Sequence, residues 1–143
     1  MKIFSQSVIL AVGLLNAGLI MATDFDGSKT LVCANQLVNE CLSTQLCKMV
    51  TAQSVNLPDF FNVDVGNRML TGKHDGGIDS STPVERLEHL DGKLILQGAD
   101  NGIEGVPDGN GWTMVIEEDT GKMSMTASGD GFVIVAFGAC MTR

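Results

Sequence analysis

At 143 residues, with 17 acidic against 9 basic side chains and a formal net charge of −8, the chain has the size of one small, acidic domain. That balance excludes charge-driven binding of nucleic acid or of an anionic membrane surface, and it makes a cation or a basic protein the electrostatically sensible partner. Solubility alone would account for the same acidity.

Residues 1–22 read as a secretory signal peptide: Lys2, then an apolar run from Val8 to Leu15 that continues through Gly18, Leu19 and Ile20 and stops at Ala22. Asn16 and Gly18 interrupt the run, and at about 20 residues it only just reaches a membrane-spanning length, which favours cleavage after Ala22 over an uncleaved anchor. Ile20, third before the cut, is a poorer fit there than alanine. Residues 23–143 then form a single β-domain with no membrane span. Loss of Lys2, the one charged residue of the leader, makes that domain one unit more negative, at −9.

All four cysteines lie in the exported part, and an even number in an oxidising compartment implies two disulfides. Cys41 and Cys47 enclose five residues and can close locally. Three pairings of the four are possible; the expected one joins Cys33 with Cys140 as well, tying the first structured segment to the last, a constraint that contributes about 4 to 5 kcal/mol in the loop-entropy account. A zinc site is the rival use of four thiolates, but the close C-x-x-C pairs typical of such sites are missing from the sequence.

After a polar arm, residues 31–41 are ambiguous. Leu31, Ala34, Leu37, Val38 and Cys41 fit helical spacing, whereas Val32 and the need for Cys33 to reach the C-terminal segment favour a strand. Residues 42–48 form the small disulfide loop and residues 51–58 are expected to be extended, since Pro58 disfavours helical geometry at Leu57. Phe61, Val63 and Val65 alternate with Asn62 and Asp64 as a half-buried strand that turns at Gly66 and Asn67 into residues 68–71. Residues 72–83 read as a long loop rich in Gly, Asp and Ser. Strands 84–90 and 93–98 are joined by Asp91 and Gly92, a strong hairpin signal because a type I′ turn needs positive φ at both positions. A second long loop, 99–110, carries Asp100, Glu104 and Asp108.

Trp112 to Glu117 is rich in β-formers, and Gly121 supplies the next reversal. In residues 122–128, Lys122, Ser124, Thr126 and Ser128 alternate with Met123, Met125 and Ala127, the pattern of a strand with one wet face. Residues 129–131 turn the chain into 132–140, FVIVAFGAC, apolar on both faces. A strand of that kind is expected to be central and covered on its second face.

The expected fold is therefore mainly β: a disulfide-stapled, antiparallel up-and-down meander of seven strands from Phe61 onward, closed into a small barrel or sandwich. Connections in a meander alternate between its two ends. The tight turns at Gly66 and Asn67, Asp91 and Gly92, and 118–121 then share one end, and loops 72–83, 99–110 and 129–131 share the other. That second end gathers His74, Asp75, Asp79, Asp100, Glu104, Asp108 and Asp130. Their oxygens would suit calcium, though the spacing matches no D-x-[DN]-x-[DN]-G loop, and Asp-Gly is also ordinary turn chemistry. No other cofactor is implied. Trp112, Met114, Met123 and Met125 sit on adjoining strands and either line a ligand pocket or pack as core.

A hydrolase using His89 with Glu88 and Asp91 nearby lacks a G-x-S-x-G elbow. Glu117 and Glu118, adjacent in sequence, would face opposite ways if both lay in a strand. No residue is assigned as catalytic.

Four stretches, FDGSKTLVCA (25–34), QSVNLPDF (53–60), HLDGKLILQG (89–98) and GWTMVIEEDTGKMSMTASGDG (111–131) followed by FGAC, resemble a set of small exported bacterial proteins of uncharacterised activity. The resemblance covers most of residues 23–143 and implies a periplasmic or secreted protein of a Gram-negative cell. It brings no catalytic residues with it. The expected function is a non-enzymatic exported binding or envelope protein that engages a basic partner or a cation through its acidic loops. The alternative is a carrier of a small apolar ligand in the barrel interior.

Overall fold

The computed structural model describes residues 24–74, 77, 79–102 and 105–143. The signal peptide with its cleavage site, Asp75 and Glu104 lie outside the described residues. Among the described residues ten strands form one antiparallel sheet: β1 (Leu31–Leu42), β2 (Lys48–Val50), β3 (Phe60–Asp64), β4 (Met69–Lys73), β5 (Asp79–Pro83), β6 (Arg86–His89), β7 (Lys93–Asp100), β8 (Asn110–Glu117), β9 (Lys122–Gly129) and β10 (Phe132–Thr142). Their order is β5-β4-β3-β1-β10-β9-β8-β7-β6, with β2 paired to β1 off that path. The sheet curls into a half-barrel. Its outermost strands, β5 and β6, follow one another in the chain through Val84 and Glu85, so both flanks of the opening belong to one bent segment.

The ambiguous segment 31–41 is a strand, and β1 with β10 forms the long central pair. Cys33 lies directly opposite Cys140 in that ladder, and the two are bonded; Cys41 bonds Cys47. A bulge between Asn35 and Leu37 shifts the register, so Val38 turns inward after Cys33 had done so. In β9 the expected alternation holds, with Met123, Met125 and Ala127 buried. Leu31, Val63, Leu70, Leu94, Leu96, Met114 and Ile116 fill the middle of the half-barrel. A fully buried aliphatic side chain of this kind stabilises by about 1.5 to 3 kcal/mol.

Three expectations need correction. The loop 72–83 contains β5, which pairs Asp79–Pro83 with Met69–Lys73. Its Ser80-Ser81-Thr82 sequence shows no apolar alternation because only Thr82 is buried. Residues 51–58 are not simply extended: Gln53–Val55 is a 3-10 turn ended by Asn56 at φ 53°. The second face of β10 is only partly covered by the described residues. Val133, Phe137 and Met141 remain 39%, 47% and 65% exposed, because the sheet curls toward the other face and leaves this one outside.

The two ends differ as the parity of the connections requires. One carries the turns 65–68, 90–93 and 117–121. At the second, Leu90 and Lys93 exchange both backbone hydrogen bonds, with Asp91 at φ 51° and Gly92 at φ 68°, the expected type I′ geometry. Phe25 packs against the core at this end, beside Gly121, and Gly27 lies against Val65. The opposite end carries residues 43–47, the 51–59 segment and the loops after β4, β7 and β9.

Candidate functional site

At the loop end the half-barrel holds a cavity of about 740 Å³. That volume falls within the range of small-molecule pockets. Tight turns and Phe25 close the far end, whereas the segment 51–59 and the β7–β8 connection border the cavity at this one. Phe61, Leu70, Trp112, Met125, Ala127 and Ile134, from five different strands, supply its apolar walls, each at an inward position of its strand. Val55, Leu57 and Pro58 bring in the segment between β2 and β3. Pro58 sits directly over Gly72, where a Cβ would lie 2.5 Å from the proline ring.

Trp112 is 4% exposed and fixed by a short relay. Its Nε1–H donates to Thr82 Oγ1 at 3.2 Å, and the Thr82 hydroxyl donates to the Ala99 carbonyl at 2.9 Å. Thr82 thereby links β5, β7 and β8 at the place where β5 and β7 approach with no ladder between them. Trp112 also leans over Gly98, where a Cβ would stand 2.5 Å from the indole ring and 2.4 Å from the Pro83 carbonyl. A side chain at position 98 would therefore push the indole away from its threonine.

The mouth is polar. Asp59, Asp79, Asp100 and Asp108 line it, together with Lys73, His74, Thr71, Ser80 and Asn110. Lys73 Nζ is 3.3 Å from Asp79 Oδ1, an exposed ion pair. Asp100 Oδ1 accepts the Gly102 backbone N–H at 2.8 Å, and Asp59 accepts a hydrogen bond from the Gln53 side-chain amide.

Of the residues expected at the acidic end, His74, Asp79, Asp100 and Asp108 meet around this one cavity. Asp130 stands in the β9–β10 turn at the same end and is not part of the lining. Among the described residues no three of His, Cys, Asp or Glu are placed to hold a metal ion. Of the four candidate pocket residues, Trp112 and Met125 line the cavity, whereas Met114 and Met123 belong to the packed core. His89 lies at the opposite end, its Nδ1 2.6 Å from Glu118 Oε1, while Glu117 accepts a hydrogen bond from the Thr120 hydroxyl at 2.7 Å. Neither glutamate lines the cavity.

Sequence reasoning missed Phe61, Leu70, Asp59 and the 53–58 wall. Parity carried a usable signal for the first two: the inward positions nearest the loop end of each strand are the ones that meet there. The 53–58 wall has no such signature, because its inward turn depends on Asn56 adopting a left-handed conformation.

A second hollow of about 570 Å³ lies across β3 and β4 between Thr30, Asn62, Met69 and Arg143, with little apolar surface for a ligand. Among the described residues no helix is long and apolar enough to cross a membrane. The chain matches no protein-family model and no curated protein sequence, so its function is read from the cavity itself.

Proposed function

We propose that the protein is a non-enzymatic, exported binding protein that carries a small, largely apolar molecule in the cavity at the loop end. The observation that carries this reading is the cavity, with apolar walls from five strands and a polar mouth. The two disulfides and the leader-like residues 1–22 support export to an oxidising compartment. Such a pocket orients a ligand through a few polar groups and takes most of its binding free energy from burying the ligand's apolar surface.

Trp112, the single tryptophan, is a built-in reporter of occupancy. Titration of the oxidised protein with neutral N-phenyl-1-naphthylamine should give saturable one-to-one quenching of Trp112 emission and matching probe enhancement. Filling the cavity by Ala127→Phe should abolish both while leaving the far-ultraviolet circular dichroism unchanged. Native mass spectrometry of protein taken from its own cells should show a mass above that of the chain. Absence of saturable probe binding to the unsubstituted protein would sink the proposal.

A further inference from the structure

We infer that the natural ligand of this cavity is a cation: an amine or quaternary ammonium whose apolar body lies between Trp112 and Ile134 and whose charge rests at the aspartate mouth. The inference rests on the carrier reading. The apolar cavity makes the site, and the mouth selects the charge.

Four aspartates line the mouth against one lysine and one histidine. The lysine is engaged by Asp79, so Lys73 is poorly placed to receive an anionic head group. Asp59 and Asp100 are half-buried, and their hydrogen-bond partners are neutral N–H groups, the Gln53 amide and the Gly102 backbone. Those contacts hold the carboxylates in place without cancelling their charge. A concave, low-dielectric wall behind them concentrates the field at the mouth, which attracts a cation and repels a carboxylate or sulfate head group. Trp112 supplies a flat apolar wall for the body of the ligand below that mouth. A purely hydrocarbon ligand would leave these carboxylates with nothing to do beyond solvation, and an anionic one would work against them.

Three probes of equal tail length separate the cases: decyltrimethylammonium and decyl sulfate, each titrated below its micellar concentration, and decanol, titrated below its solubility limit, all against Trp112 emission. The ammonium should bind at least about tenfold more tightly than the alcohol, with decyl sulfate weakest, the order that a carboxylate-lined mouth imposes. Its advantage should shrink between about 20 mM and about 0.5 M salt while alcohol binding holds steady, because screening acts only on the charge. Asp59→Asn with Asp100→Asn keeps an acceptor oxygen for both existing hydrogen bonds and removes two charges. It should remove most of the ammonium's advantage over decanol, with Asp108 still at the mouth, and leave decanol affinity unchanged. If decanol or decyl sulfate binds as well as the ammonium, or the double variant retains the preference, the cation inference fails and the carrier reading stands. If these probes and N-phenyl-1-naphthylamine all fail to bind, both readings fall together.

Discussion

The two ends of the half-barrel are made from the same strands and finish in opposite ways. At the closed end each reversal takes a handful of residues, the N-terminal arm lays Phe25 over the core, and the long-range bridge Cys33–Cys140 ties the first strand to the last nearby. At the open end the β7–β8 connection and the segment 51–59 are longer while the β9–β10 turn is tight, the bridge Cys41–Cys47 is local, and the inward side chains surround space. The same strands run through both ends, so the difference lies in the connections and in what they lay across the opening. Stability should therefore concentrate at the closed end and ligand response at the open one.

The largest expected effect breaks that asymmetry at its covalent ties. Cys33–Cys140 closes a separation of 107 residues and Cys41–Cys47 one of 6. Replacing the first pair by alanine should cost about 4 to 5 kcal/mol, and the second about 2 kcal/mol, in the chain-entropy account. Against a typical total of about 5 to 15 kcal/mol, the first loss would leave the fold marginal. Urea unfolding of both variants checks the ranking, and equal midpoints would refute it.

Two glycines of the closed end sharpen the same contrast at the scale of one methyl group. Gly92 and Gly121 share φ 68°, but a Cβ at Gly92 meets open space, whereas one at Gly121 would lie 2.7 Å from both the Cys140 carbonyl and the Phe25 ring. Gly92→Ala carries left-handed strain alone, about 1 kcal/mol. Gly121→Ala adds a clash against backbone and should cost about 1 to 3 kcal/mol more. If thermal unfolding places the two variants together, Phe25 and the β10 backbone are not packed on that turn as described.

Next comes an opposed pair of size changes. Phe25→Ala should destabilise by about 2 kcal/mol, less than the 3 to 5 of a fully buried phenylalanine because the ring is only partly covered. It should leave probe binding at the far end unchanged. Ala127→Phe puts a ring into existing space and should change stability by less than about 1 kcal/mol, in either direction, while removing binding. A large loss of stability in Ala127→Phe would mean that this part of the interior is packed rather than hollow.

Much of this asymmetry was legible in the residues. The alternation of Met123, Met125 and Ala127, the Asp91-Gly92 turn and the short spacing of Cys41 and Cys47 are local signals, and local signals survive folding. Connection parity then placed His74, Asp79, Asp100 and Asp108 at one end without any knowledge of contacts. What could not be read depends on partners distant in sequence. Ser80 to Thr82 becomes a strand because Met69–Lys73 offers it a ladder and Trp112 offers Thr82 a proton, not because of its own pattern. The apolar outer face of β10 misled for the same reason: the residues suit burial on both sides, and the curl of the sheet decided which side received it.

The smallest expected effect is a pH dependence at the closed end. Asp26 is held below its ordinary value of 3.8 chiefly by the Ser28 hydroxyl and then by its backbone N–H, and Asp64 likewise by the Asn67 side-chain amide and backbone N–H. A carboxyl whose value is depressed by folding adds stability that is fully present above its unfolded value. That contribution fades as the pH falls through the lower, folded value. Both groups face solvent, so each contributes little. Urea midpoints should decline as the pH falls from about 5 to about 2, and Ser28→Ala with Asn67→Ala should flatten part of that decline by slightly lowering the neutral-pH midpoint while leaving the midpoint at about pH 2 nearly unchanged. An identical acid slope in the double variant would show that these turn carboxylates are not what makes the closed end sensitive to acid.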